Sequence, residues 1–150
     1  MSEGAAGALS AQEMQTLLAL DVPARLATLD ADGHPRITPI WFLWHEGAFY
    51  MTSVTGKRHL KNLARDPRAS ICIDTEERVT QSGIRRKRRL KATAEAELES
   101  DRDGEWTKRI TLKYVYGNEG RALAQRRAAM PRVVISLRPA RLVGLGTPDQ

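Results

Sequence analysis

Residues 50–67 constrain the fold more than any other stretch, because they place a strand, a tight turn and a short helix in succession. The segment before the turn is rich in β-branched and aromatic residues, which favours a strand. After the turn, Leu60, Leu63 and Ala64 are spaced i, i+3 and i+4, which predicts one apolar face of a helix. Pro67 then ends that helix.

The turn between this strand and this helix carries an unusual distribution of polar and charged residues. It comprises Thr52, Ser53, Thr55, Gly56, Lys57, Arg58 and His59. The hydroxyls and the glycine suit a tight turn and helix capping. The cations occupy the first helical turn, where the helix dipole is already positive, and each should cost a few tenths of a kcal/mol. Together these groups suit a phosphate, although a solvated basic turn without a ligand explains the same residues.

Length and composition indicate one globular domain over residues 1–150, with an N-terminal helical segment over residues 1–22. The chain is 41% hydrophobic and 28% charged, which is typical of soluble proteins. No apolar run approaches the ~20 residues that a membrane span needs. The first residues lack a basic segment followed by an apolar core, so we expect a cytoplasmic protein without a membrane partner.

Motifs for metal binding or nucleophilic catalysis are scarce. The single cysteine, Cys72, excludes an intrachain disulfide and an all-cysteine metal cage, and its apolar surroundings predict a buried small side chain. His34, His45 and His59 lie in or beside turns without metal-ligand spacing, so we expect no metal site. Neither a nucleophile elbow nor a glycine-rich nucleotide signature occurs.

The remaining hydrophobic patterns predict a mainly β protein with peripheral helices. Strands are predicted over residues 25–29, 36–44, 47–54, 69–74, 84–98 and 132–145, and helices over residues 10–22, 57–66, 101–116 and 119–130. Pro39 cannot donate to a ladder, so its strand should lack a partner on one side. The alternation in residues 84–98 favours a strand, while its composition also suits a helix. Six mostly antiparallel strands joined by hairpins predict a closed barrel.

The net charge of +6 implies an anionic partner, and residues 85–89 concentrate five cations. Nucleic acid is one possible partner for such a run. However, the run contains no aromatic residue and the whole chain has only eight, so a base-stacking platform is poorly supplied. The run also suits an exposed edge strand protected by charge, or a groove for the anionic tail of a small ligand.

Three segments resemble the pyridoxamine 5'-phosphate oxidase-like family, the flavin and deazaflavin split barrels. Residues 26–42 resemble the opening hairpin of the family, residues 50–71 its strand–turn–helix–strand segment, and residues 132–144 its closing strand. The resemblance runs in order over residues 24–145. It implies a six-stranded split barrel that forms a homodimer, with the cofactor in the groove between the subunits.

The resemblance also implies a set of site residues. The flavin phosphate would be held by Thr52, Ser53, Thr55, Lys57 and Arg58, in agreement with the charge argument above. The isoalloxazine ring would lie along Thr38, Pro39, Ile40 and Trp41, although plain core packing also explains Trp41. Candidates for the wall of the substrate pocket are Trp106, Tyr114 and Tyr116. Candidates for binding an anionic cofactor tail are Arg86, Arg88 and Arg89.

These features predict an FMN-dependent oxidoreductase that transfers a hydride to or from a small molecule. One alternative replaces FMN with the deazaflavin coenzyme F-420, whose more anionic tail would give the basic run a role. Another is a flavin-binding module without turnover, because no acid or base is evident.

Two departures from the family pattern bear on the substrate. Ala92 stands where relatives usually carry a glycine. The C-terminal residues 144–150 are not the Trp- and Arg-rich segment of the true oxidases of vitamin B6 metabolism. We therefore do not expect oxidation of pyridoxamine phosphate.

Overall fold

The computed structural model describes residues 7–147. Residues 1–6 of the predicted N-terminal segment, and residues 148–150 of the C-terminal tail, lie outside the described residues. Within residues 7–147 the strands are β1 Gly7–Ala8, β2 Ala24–Leu29, β3 Pro35–Ile40, β4 Leu43–His45, β5 Ala48–Val54, β6 Arg68–Arg78, β7 Arg85–Ser100, β8 Arg132–Leu137 and β9 Val143–Gly146. The helices are α1 Ala11–Ala19, α2 Arg58–Arg65, α3 Glu105–Tyr114 and α4 Gly117–Ala128, with a 3-10 turn at Arg102–Gly104.

All pairings between these strands are antiparallel, and the sheet follows the order β3-β2-β6-β7-β8-β5-β4. Only Trp41 and Phe42 separate β3 from β4, the two ends of this path. Because these two residues span only about 11 Å between the flanking Cα atoms, the two end strands lie close together without pairing. The sheet therefore closes into a split barrel, which confirms the predicted mainly β class with peripheral helices.

Nine strands are described where six were predicted, because two predicted strands are each divided and one short strand was not predicted. Residues 36–44 are divided because β3 pairs with β2 whereas β4 pairs with β5. Residues 132–145 are divided around Pro139, because β8 pairs with β5 whereas β9 pairs with β1. The short strand β1 was not predicted. The predicted edge position of Pro39 is confirmed, since β2 is the only strand within residues 7–147 that pairs with β3.

Strands β6 and β7 form the longest hairpin of the barrel. The strand predicted over residues 69–74 is longer in the structure, because residues 75–78 continue β6 opposite residues 85–88. Glu76 lies opposite Lys87 and Glu77 lies opposite Arg86, and opposite charges in register stabilise a strand pair. The strand interpretation of residues 84–98 is confirmed and the helical alternative is wrong.

The barrel interior is filled by apolar side chains, and α2 covers one part of it. The largest fully buried ones include Leu26, Phe42, Phe49, Met51, Ile73, Leu90, Ile135 and Leu137. Helix α2 buries Leu60, Asn62 and Leu63, whereas Ala64, predicted to share this face, is exposed. Asn62 is buried because its Nδ2 donates to Thr28 Oγ1 at 3.1 Å and to an Asp30 carboxylate oxygen at 3.0 Å.

The split between β3 and β4 is held by two side chains of α3. The Tyr114 hydroxyl accepts a hydrogen bond from the Phe42 N–H at 3.2 Å and donates to the Val22 carbonyl at 2.9 Å. The Lys113 ammonium donates to the carbonyls of Leu18 at 3.2 Å and Phe42 at 3.1 Å. It also lies 3.6 Å from the centre of the Phe42 ring. Helix α3 thereby fixes the backbone beside Trp41.

Burial of Lys113 makes its charge costly. Burial lowers the pKa of its ammonium group from 10.5 to about 8, against a weaker opposite effect of the Asp21 charge. Between these two pH values the unfolded chain binds a proton that the folded chain does not, so the folded state gains stability as the pH rises.

We predict that Lys113→Met changes the pH dependence of stability in a defined direction. Between pH 8 and 10.5 the free energy of unfolding should rise more steeply with pH in the unsubstituted protein than in the variant. Urea unfolding at several pH values measures this difference, with Lys108→Met at an exposed position of α3 as the control. Identical slopes for all three proteins would contradict the prediction.

Candidate functional site

The turn that joins β5 to α2, residues 55–58, is here called the phosphate turn. Its Gly56 has a φ of +88°, and a Cβ added there would meet no atom within 4 Å. Helix α2 has Lys57 as its N-cap residue, no side-chain capping bond and no acidic residue in its first turn. Lys57 and Arg58 are both exposed. The structure therefore leaves a helix N-terminus open, with two cations beside it.

His59 follows directly in the first turn of α2. Its Nε2 atom is buried without a hydrogen-bond partner in the described part of the chain. Burial, and then the charge of Lys57, lower the pKa of its imidazole. An uncapped helix end, an unpartnered ring nitrogen and exposed cations are the features expected of an anion site, and a phosphate group fits them.

Two of the predicted phosphate ligands lie inside the protein. Thr52 and Ser53 belong to β5 and are only 4% and 6% exposed. The Thr52 Oγ1 accepts a hydrogen bond from Arg132 Nε at 3.3 Å and lies 2.9 Å from the Thr107 Oγ1. The prediction that these hydroxyls cap α2 is wrong, because α2 has no side-chain cap. Thr55, Lys57 and Arg58 are the predicted ligands on the exposed surface.

The predicted ring-binding segment follows the edge strand β3 into the split of the barrel. Pro39 is exposed, whereas Thr38, Ile40 and Trp41 are half-buried. The Trp41 ring stacks on Tyr114, with 4.5 Å between ring centroids and 2° between planes. The guanidinium carbon of Arg127 lies 4.8 Å from the centre of the Trp41 ring. Trp41 is therefore held in one orientation at the surface, and plain core packing does not describe it.

The three residues predicted to form the wall of a substrate pocket do not come together. Trp106 stacks on Tyr50 at 3.8 Å, and Arg109 lies 4.3 Å from its ring centre. Tyr114 instead packs on Trp41, and burial raises the pKa of its phenol to about 12. Tyr116 is 83% exposed in the link between α3 and α4. Trp106 therefore contacts β5, whereas Tyr114 contacts the link between β3 and β4.

The arginines predicted to bind an anionic tail are also divided. Alternate residues of a strand face opposite sides, so Arg86 and Arg88 share one side of β7 while Arg89 faces the other. The charges of Arg88 and Arg86 contribute to lowering the pKa of Glu13, after its hydrogen bonds to Ser10, so their side faces the start of α1. The run also lies roughly 35 Å along β7 from Ser100, the end near the phosphate turn.

The outer face of the sheet carries a groove of about 570 Å³. Across its middle, the register aligns small residues from neighbouring strands, with Ile37 at the edge 70% exposed. The groove is lined by Arg25, Ala27, Ile37, Ser70, Ile71, Cys72, Lys91, Ala92, Thr93, Ala140, Arg141 and Val143. Cys72 is half-buried here, which corrects its predicted burial. The inward alternation of Ile71 and Ile73 already indicates that Cys72 faces outward.

Arg127 on α4 and Arg132 on β8 were not predicted as site residues. Both are half-buried beside predicted site residues, Trp41 and Thr52 respectively. The sequence gives little signal for them, because 18 arginines are spread along the chain and these two follow no motif. Among residues 7–147, no cluster of histidine, cysteine and acidic side chains could hold a metal ion. No helix in the same range is long and apolar enough to cross a membrane.

Comparisons with known proteins agree with this architecture. A conserved hypothetical protein from Mycobacterium tuberculosis superposes with a TM-score of 0.76 at 19% identity, covering 100% of this chain and 96% of that chain. An FAD-binding protein from Mesorhizobium loti gives 0.67 at 18% identity, with 96% and 99% covered. A protein described as an F-420 reductase gives 0.60 at 19% identity, with 85% and 94% covered. At these identities the likeness concerns the fold alone.

The sequence itself identifies the family. No curated protein matches the chain. The family profile described as pyridoxamine 5'-phosphate oxidase matches residues 10–145, which include every strand from β2 to β8 and all four described helices. The chain therefore belongs to the pyridoxamine 5'-phosphate oxidase family.

Proposed function

We propose that this protein is an oxidoreductase that binds FMN at the phosphate turn and transfers a hydride to or from a small molecule. The observation that carries the proposal is the uncapped N-terminus of α2 with exposed Lys57 and Arg58, in a chain of this family. When bound, the flavin supplies the hydride chemistry, and the protein positions it.

The chain's own residues have separate tasks in this proposal. The space around Gly56 is open, and this residue has no side chain. The backbone can therefore approach the phosphate closely at this position. Lys57 and Arg58 donate charge-assisted hydrogen bonds to the phosphate oxygens. Trp41, fixed between strands β3 and β4 by its stacking on Tyr114, borders the ring. The half-buried segment around it excludes water from one side of the ring.

We also propose that the active form is a homodimer that pairs through the outer groove. Exposed Ile37, Val143 and Leu145 lie on this face, and contiguous apolar surface of this kind marks interaction sites. The small residues in the middle of the face would allow a second sheet to approach closely. The cofactor would then lie beside the dimer interface, with the ring between the subunits.

A second candidate cofactor, the deazaflavin coenzyme F-420, is favoured by the cations along the outer groove. Arg25, Lys91 and Arg141 line it, and Lys91 and Arg89 also line a neighbouring cavity of about 490 Å³. These residues are better placed for a long anionic tail than Arg86, whereas Arg88 lines the neighbouring cavity together with Arg89. FMN remains the first candidate, because the cations and the helix N-terminus at the phosphate turn are sufficient to bind its single phosphate.

We predict that Lys57→Ala weakens FMN binding about 10- to 100-fold, since one charge-assisted hydrogen bond of roughly 1.5–3 kcal/mol is lost. Titration of the apoprotein followed by flavin fluorescence measures the affinity. Lys61→Ala is the matched control, because this exposed lysine lies one turn further along the same helix. Equal FMN affinity in the Lys57 and Lys61 variants would overturn the assignment of the phosphate turn.

The variant Lys91→Gln distinguishes between the two candidate cofactors. Removing this cation should weaken coenzyme F-420 about tenfold and leave FMN binding unchanged, because FMN has no tail to reach the groove. Both titrations are run at the same ionic strength, since exposed charges are screened by salt. If the variant weakens neither cofactor, the groove does not bind a tail.

The dimer proposal predicts that Ile37→Glu lowers the mass observed by analytical ultracentrifugation from two subunits to one. Burial of a carboxylate in the interface costs desolvation free energy, which opposes association. Leu112→Glu, at an exposed apolar position of α3, should leave the mass unchanged. A protein that is monomeric before substitution would contradict the homodimer.

A further inference from the structure

Arg127 and Arg132 stand at the two ends of a row of threonines. Arg132 donates from Nε to Thr52 Oγ1 at 3.3 Å and from Nη2 to the Thr52 carbonyl at 3.2 Å. Thr52 in turn contacts Thr107 at 2.9 Å. One turn further along α3, the Thr111 hydroxyl donates to the Thr107 carbonyl at 2.6 Å and accepts from Arg127 Nη1 at 2.6 Å.

Most N–H donors of the Arg127 and Arg132 guanidiniums make no hydrogen bond to the described residues. A guanidinium has five N–H donors. In their contacts with the described residues, Arg127 uses one of them and Arg132 uses two, all on neutral oxygens. Within residues 7–147, neither belongs to an ion pair. Both side chains are nevertheless half-buried, where unpaired donors and charges are costly.

The electrostatic surroundings add to this cost. Burial lowers the pKa of Arg127, and the nearby charge of Arg132 lowers it further. Burial also lowers the pKa of Arg132, against the opposing charge of Asp101. The Asp101 carboxylate is already engaged, because it accepts hydrogen bonds from the N–H groups of Trp106 and Thr107 and from the Thr107 hydroxyl. An anion between the two guanidiniums would offset their repulsion.

We propose that Arg127 and Arg132 bind an oxyanion of the substrate, so that the substrate class is small molecules bearing a carboxylate or a phosphate. This rests on the proposed function, because it concerns the same site. Arg127 contacts Trp41, the residue that borders the ring, so an anion bound there lies beside the reacting face. Bidentate recognition of carboxylate or phosphate is the geometry that a guanidinium suits best.

The cofactor's own phosphate is the other possible source of the oxyanion. The carbonyl of Pro131, next to Arg132, accepts a hydrogen bond from Thr55 N–H at 3.2 Å, so Arg132 adjoins the phosphate turn. Arg127, by contrast, contacts Trp41 and Thr111. The phosphate turn has exposed cations of its own, Lys57 and Arg58. We therefore assign Arg127 and Arg132 to the substrate.

The experiment titrates FMN-loaded protein with benzoate and with inorganic phosphate, using calorimetry. We expect at least one of these anions to bind, and Arg127→Gln and Arg132→Gln each to weaken it about tenfold or more. Arg126→Gln, at the adjacent exposed position of α4, is the matched control and should leave anion binding unchanged. FMN affinity should be the same in all four proteins.

Two results would overturn the proposal. One is that neither anion binds more tightly to the unsubstituted protein than to the Arg127 variant. The other is that Arg127→Gln lowers the affinity for FMN but not the affinity for riboflavin, in the same way as Lys57→Ala. That result would assign Arg127 and Arg132 to the cofactor phosphate. If FMN does not bind at all, the proposed function fails. Titration of the cofactor-free protein with the same two anions then still tests whether Arg127 and Arg132 bind an oxyanion.

Folding is controlled separately, because Arg132 also supports Thr52. Arg127→Lys keeps the charge but loses the planar fork, so it should restore part of the anion affinity. The melting temperature and near-ultraviolet circular dichroism of each variant are compared with the unsubstituted protein. If Arg132→Gln does not fold, the Arg127 series alone decides the outcome.

Discussion

The attachment of α3 to the backbone of Phe42 is the contact on which the site depends. The barrel path begins at β3 and ends at β4, and in the described part of the chain no strand pairing joins these ends. Lys113 and Tyr114 supply the missing connection by binding the carbonyl and the N–H of Phe42. Because backbone groups that leave a ladder must find other partners, the same two side chains close the barrel and orient Trp41.

Charge is the second constraint, and it connects the fold to the proposed chemistry. On the opposed parts of β6 and β7, acidic and basic residues lie in register, so much of the basic run is neutralised within the sheet. Among residues 7–147, no ion pair involves the cations of the phosphate turn or the pair Arg127–Arg132. An anion bound at each site, as proposed, would offset the charge that these side chains carry.

Local chemistry allowed much of the fold to be predicted. Ser10 and Glu13 form a capping box at the start of α1, where the sequence predicts a helix from residue 10. Gly33 takes a positive φ in the first hairpin, and Glu46 and Gly47 do so in the second. The alternation of residues 84–98 identified β7. The break after Ile40 was not predictable in this way, because residues 36–44 form one apolar run and only their different partner strands divide it.

The sequence by itself determined the order of the elements, the family and the position of the phosphate turn, because turn residues, periodicity and charge act over a few neighbouring positions. Tertiary structure alone decided which polar groups are buried. Thr52 is turned against α3, Trp106 against Tyr50, and Arg127 against Trp41. These contacts join residues 55, 56 and 86 positions apart in the chain, and their geometry depends on how α3 and α4 pack on the closed barrel.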